Sequence, residues 1–146
     1  MKVTILQRDI LWADPEENVL RADKAIDRNP GSDLYVLPEM FSTGFCTQPE
    51  GIAESSDSQT LRWMKAKAAQ IDAAVAGSVA VHEGGKYYNR FYFVKPDGSV
   101  ATYDKKHLFT FGGEHERFTA GNERVIVTHK GVRILLSLPS LHIQVL

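Results

Sequence analysis

Two charged residues stand where a rigid scaffold would present them. Glu39 follows the apolar run Leu34-Tyr35-Val36-Leu37 and Pro38, and Lys105 follows the strand-forming run Ser99 to Tyr103. A carboxylate at the tip of a buried strand can take and return a proton, and a fixed ammonium in a dry site stabilises a developing oxyanion. The ordinary alternatives are a glutamate that solvates a loop and a lysine in a surface basic cluster. Around Lys105, the stretch from Tyr103 to Gly121 is too charged for core and too aromatic for a plain solvated loop. Other candidates are weaker. Cys46 lies in the loop after Glu39, but a free cysteine is more often inert packing than a nucleophile. Ser137 and Ser140 would need a base, and His142 is linked to them only by proximity in sequence. His82, His107, His115 and His129 do not form a metal-ligand spacing with cysteines or acids, so no zinc site or other metal is expected. Gly112-Gly113 reads as a loop pair and not a phosphate cradle, because no helix is expected after it.

The elements that must carry these residues are legible from the apolar pattern. Val3 to Leu6 is a short strand. Asp14-Pro15-Glu16-Glu17 starts a helix: Asp14 caps it, Pro15 suits the first helical position, and Glu17 can close a capping box. Val19, Ala22 and Ile26 fall on one helical face, and Asn29-Pro30-Gly31 stops the helix. The buried strand before Pro38 follows, and proline ends it because it cannot donate to a ladder. Strand, helix and strand with both strands apolar make a βαβ unit with parallel pairing. Met40 to Ser56 reads as a long polar connection, and Asp57 to Ile71 as a helix with Leu61, Met64, Ala68 and Ile71 inward. Trp63 lies slightly off that stripe and reads as core or interface.

Further along, the strands become antiparallel. Ala73 to Val81, Tyr87 to Val94 and Ser99 to Tyr103 are joined by tight turns at Glu83-Gly84-Gly85-Lys86 and Lys95-Pro96-Asp97-Gly98. Arg124 to Thr128 and Val132 to Leu136 make one more hairpin across His129-Lys130-Gly131. The fold class is α/β with a mixed sheet.

Composition narrows the functional classes. The chain has 146 residues and a net charge of -1, so neither nucleic acid nor a charged membrane surface is expected as a partner. No apolar run approaches the length of a membrane span, and the start lacks a signal-peptide core. With Cys46 the only cysteine, no internal disulfide can form, and a cytoplasmic setting is the default expectation.

Three motifs in order carry a resemblance. Leu37-Pro38-Glu39-Met40-Phe41, Tyr103-Asp104-Lys105-Lys106-His107-Leu108-Phe109 and Gly131-Val132-Arg133-Ile134-Leu135-Leu136 resemble the nitrilase-related carbon–nitrogen hydrolases, most of all the omega-amidases. Those enzymes release ammonia from the terminal amide of short dicarboxylate monoamides. The resemblance implies the N-terminal part of an α-β-β-α sandwich over residues 1–136, usually paired with a second subunit through its helices. It implies a small-molecule amide substrate and no cofactor. It also assigns roles: Glu39 as general base, Lys105 (Lys106 less so) as stabiliser of the tetrahedral intermediate, and Glu114, or alternatively Glu116, as substrate-positioning acid. The mechanism it implies uses a thiolate, because an amide resists water. Ammonia leaves, and the thioester is hydrolysed with the glutamate relaying protons.

The sequence departs from the pattern at its end. Counting from Gly131, the nucleophilic cysteine of the family falls at Pro139, which has no nucleophile. Residues 137–146 form a divergent tail, and close to half of the usual domain lies beyond the motifs present. The abrupt change resembles a frameshift or premature stop. The expectation is an inactive chain that self-associates, since apolar sheet faces and strand edges would be uncovered.

Overall fold

The computed structural model describes residues 1–139. In chain order the elements are β1 (Val3–Ile5), α1 (Pro15–Asp27), β2 (Leu34–Val36), β3 (Glu54–Ser55), α2 (Gln59–Ile71) and β4 (Ala74–Glu83). They continue with β5 (Lys86–Val94), β6 (Val100–Asp104), α3 (Glu114–Arg117), β7 (Ile126–His129) and β8 (Val132–Leu135). One sheet runs β1-β2-β4-β5-β6, with the short β3 beside the far end of β4, and β7-β8 form a second sheet. The β1–β2 and β2–β4 pairs are parallel, while β4–β5 and β5–β6 are antiparallel. The mixed sheet expected from the pattern is therefore present.

Local chemistry explains the elements. Asp14 accepts from the Glu17 backbone N–H at 3.1 Å, a cap that contributes about 1 kcal/mol. Glu17 does not close the expected capping box; its carboxylate instead takes the Arg21 guanidinium at 2.8 Å, one helical turn on. At the β4–β5 corner Gly84 and Gly85 both have positive φ, +58° and +75°, as a two-residue hairpin loop requires. The last hairpin turns one residue later than expected. His129 pairs with Val132 inside the ladder, and Lys130 and Gly131 make the turn.

Alternation along the strands divides the core. Tyr35, Val75, Val79, Val81, Tyr92 and Val94 face the helices, where they meet Ala22 and Ile26 of α1 and Leu61, Met64 and Ala68 of α2. Burying a side chain such as Ile26 or Met64 contributes about 2 kcal/mol. The opposite face carries Leu34, Ala74, Ala76, Phe93 and Tyr103 against Val127, Leu136 and Leu138 beside the second sheet. Helices, large sheet and small sheet thus form successive layers. The two helices are fastened by Lys67, which is buried and donates to Asp27 at 2.7 Å and Asp23 at 3.1 Å. Trp63 adds an indole N–H to Asp23 at 2.8 Å and packs against Phe41, so it serves the helix layer as core.

The connection from Met40 to Ser56 is less polar in its role than its composition indicates. Met40, Phe41, Ser42, Thr43 and Cys46 are all buried, and Glu54–Ser55 pairs in parallel with Val81 and His82. Gly77 explains how this segment lies so close to the sheet. A Cβ there would stand 2.9 Å from both Leu37 Cβ and Phe41 Cδ1, so only glycine admits the chain on either side of Glu39.

Candidate active site

Glu39, Lys105 and Glu114 converge at one end of the large sheet. Glu39 lies just past the C-terminal end of the parallel strand β2, the end at which open α/β sheets place their sites. Its direction is held by Met40, which adopts a left-handed φ of +47° although it is not glycine. That strain is over-determined: the Met40 N–H donates to Ser78 Oγ at 2.8 Å, and its carbonyl accepts from Gly44 at 2.8 Å and Thr43 at 3.2 Å.

Lys105 reaches the same place from β6. Its backbone N–H donates to the Asn89 carbonyl at 2.9 Å, one step beyond the Arg90–Asp104 pair of the β5–β6 ladder. Arg90 grips Asp104 with two bonds of 2.7 and 3.0 Å, a bidentate pairing that fixes the strand end. The third member, Glu114, opens the short helix α3. The sequence reading expected no helix after Gly112-Gly113; one is present, four residues long, with Gly113 at its N-cap in the left-handed region at φ +80°. A glycine there supplies the turn that aims Glu114 inward.

The ammonium of Lys105 is only 1% exposed and sits between the two acids, 2.8 Å from Glu39 Oε1 and 3.0 Å from Glu114 Oε2. Glu114 is fully buried and also accepts the Phe109 backbone N–H at 2.6 Å. Asn89, fully buried, donates its amide to Glu39 Oε1 at 2.7 Å and to Glu114 Oε1 at 3.1 Å. Phe45 lies over the Lys105 ammonium, 5.4 Å from nitrogen to ring centre, and meets Phe109 edge-on. The cluster holds one ammonium between two carboxylates, under an aromatic wall. Chemically it can hold a carbonyl oxygen against an ammonium while a carboxylate handles a proton.

The structure separates the candidates. Lys106 and Glu116, the alternates to Lys105 and Glu114, are exposed to solvent. Cys46 is 2% exposed, its N–H bonded to Met40 Sδ at 3.3 Å, and burial pushes its thiol up to about 11. Its sulfur lies against Met40 Sδ at 3.9 Å, and among the described residues it makes no hydrogen bond to Glu39, so it packs and is not poised as a nucleophile. Ser137 is exposed, and Ser140 and His142 lie outside the described residues. The histidines serve local roles: His82 stacks on Tyr87, and His129 bonds the Asp33 carbonyl at 2.8 Å beside Phe93. Among the described residues no group of three His, Cys, Asp or Glu side chains is placed to hold a metal ion, and no helix is long and apolar enough to cross a membrane. Asn89 was not singled out from the sequence. Its only signal was a polar residue in an inward-facing row of strand positions, Tyr87, Asn89, Phe91 and Phe93.

Comparison with known proteins identifies the family and the fold. The sequence pattern of the family described as Carbon-nitrogen hydrolase matches residues 2–137. The chain belongs to the carbon-nitrogen hydrolase family. Among relatives of this chain, the omega-amidase YafV of Escherichia coli (strain K12) is 42% identical over 135 residues, covering 92% of this chain and 52% of the relative. The 2-oxoglutaramate amidase of Bacillus subtilis (strain 168) is 35% identical over 129 residues, covering 84% of this chain and 50% of the relative. The solved structure of a CN-hydrolase superfamily protein from Xanthomonas campestris, with an arsenic adduct in its active site, superposes with a TM-score of 0.88. It is 38% identical, and the match covers 92% of this chain and 51% of that one. An amidase from Nesterenkonia, 21% identical with a TM-score of 0.82, shares the fold. The chain spans about half the length of the curated relatives it matches.

Proposed function

We propose that this chain carries the acid–base and ammonium half of an omega-amidase-type site, for a small-molecule amide. Glu39 is the proton acceptor, Lys105 the oxyanion stabiliser and Glu114 the positioning acid. The observation that carries the reading is the Lys105 ammonium held at 2.8 and 3.0 Å between two carboxylates, one partly open and one buried. The likeness in sequence to omega-amidases supports the substrate class. Residues 1–136 are, in this reading, the N-terminal part of the hydrolase domain, and residues 137–146 its divergent tail.

The chemistry also requires a nucleophile on the carbonyl carbon, and Pro139 stands where the motif spacing calls for cysteine. With Cys46 buried and protonated, the described residues supply no thiolate to attack. The 146-residue polypeptide is therefore expected to release no ammonia from glutaramate above a buffer control. Robust ammonia release that Glu39→Gln abolishes would overturn the inactivity.

A second reading is a non-catalytic binding or assembly module. It is favoured by the outer face of the small sheet, where the cross-strand pair Ile126 and Leu135 is 42% and 51% exposed. Apolar pairs on an open sheet face promote association. Sedimentation is expected to show self-association that weakens in Ile126→Lys with Leu135→Lys. A monodisperse monomer across the concentration range would remove this reading.

A further inference from the structure

The two acids of the cluster are chemically alike, and their hydrogen bonds distinguish them. Each oxygen of Glu114 is engaged: Oε1 takes the Asn89 amide at 3.1 Å, and Oε2 takes Lys105 at 3.0 Å and the Phe109 N–H at 2.6 Å. Glu39 is held on one side only. Its Oε1 accepts both Lys105 at 2.8 Å and Asn89 at 2.7 Å, and among the described residues no hydrogen bond is made by its Oε2. The Asn89 amide nitrogen is the only group besides Lys105 that touches both carboxylates among the described residues.

We propose that Asn89 is a positioning residue of this site, whose amide locks Oε1 of Glu39 to Oε1 of Glu114 and so leaves Oε2 of Glu39 as the proton-accepting oxygen. One ammonium cannot satisfy two carboxylates alone, and two acids this close repel unless further donors lie between them. The Asn89 amide supplies two N–H donors from a single rigid point, because its backbone is fixed on both sides in the sheet. A carboxylate pinned through one oxygen by two donors keeps its plane, and its other oxygen then has a set direction. Lysine at position 89 would add a charge without a planar fork, and aspartate would add a third acid. The inference rests on the reading of Glu39 as the base, and it extends that reading to a residue and an oxygen atom.

The test uses the full chain and a spectroscopic signature, so it does not depend on turnover. In the parent, nitrogen–proton spectra are expected to show the Asn89 side-chain amide as two separated resonances in slow exchange with water. Carbon spectra of the glutamate carboxyls are expected to show both Glu39 and Glu114 moved in Asn89→Ala, while cooperative melting shows that the fold is retained. A residue that merely packs would leave those two carboxyl resonances in place. Retention of both shifts in folded Asn89→Ala would overturn the proposal. Should Asn89→Ala not fold, the parent spectrum decides alone, since a fast-exchanging Asn89 amide has no such bonds. Ammonia release tests the functional reading separately: turnover by the chain leaves the Asn89 signature intact, and loss of the signature leaves the inactivity intact.

Discussion

Lys105→Met is expected to lower the unfolding free energy by about 3–5 kcal/mol, the range for removing one partner of a buried ionic cluster. Methionine keeps most of the volume, so the loss reports charge and hydrogen bonds and not a cavity. Glu114, fully buried, would lose the ammonium on its Oε2, and Glu39 would lose one of two donors on Oε1. The control is the double change Lys105→Met with Glu114→Gln, which removes cation and buried anion together. It is expected to be more stable than the sum of the single losses by about 1 kcal/mol or more. Urea denaturation of the four proteins measures this. Simple additivity, or a single-variant loss below about 1 kcal/mol, would show that the cluster is not electrostatically coupled.

Gly121→Ala is expected to cost about 3 kcal/mol, at the upper end of overpacking in a core. The new Cβ would lie 2.2 Å from the Asp104 carbonyl oxygen and 2.9 Å from its carbon, so backbone must move. Gly121 also donates its N–H to the Lys105 carbonyl at 3.1 Å, and the displacement is therefore delivered to the residue that carries the ammonium. The comparison is Gly98→Ala. That glycine has φ +84° with nothing within 4 Å, so alanine there meets only left-handed strain, about 1–2 kcal/mol. Thermal melts of both variants check the order. Equal losses, or a Gly121→Ala melt like the parent's, would contradict the close approach.

The two glycines show where reading the chain stops being sufficient. At Gly98 a turn sequence, Lys95-Pro96-Asp97-Gly98, announces the need for glycine. At Gly121 nothing local does, since the need arises from a strand end far back in the chain. The same division runs through the fold. Apolar periodicity specified α1, α2 and the long strands, because a helix or strand buries one face at a fixed spacing whatever it packs against. Gly84-Gly85 likewise placed the β4–β5 corner, since adjacent positive φ values are cheap only for glycine. The four-residue α3 was invisible because so short a helix has no period to detect, and it is held by the bond of Glu114 to Phe109.

The site divides in the same way. Glu39 and Lys105 could be named from sequence because each lies near a strand end in a motif that resembles the carbon–nitrogen hydrolases; spacing alone favours a solvated loop and a surface cluster. Whether they meet could not be. They are far apart in the chain, and only the β2–β4–β5–β6 arrangement brings them to 2.8 Å. Asn89 gave only a weak signal, a polar residue in an inward-facing strand row, since an inward asparagine is explained only by what it faces. The sequence by itself determined the long helices and strands, the glycine corner between β4 and β5, and the absence of a thiol at position 139. Tertiary structure alone decided which lysine and which glutamate are buried, that Cys46 is packing, and that one asparagine joins both acids. The reason is that burial and ion pairing are set by distant strands meeting, and no local spacing encodes that meeting.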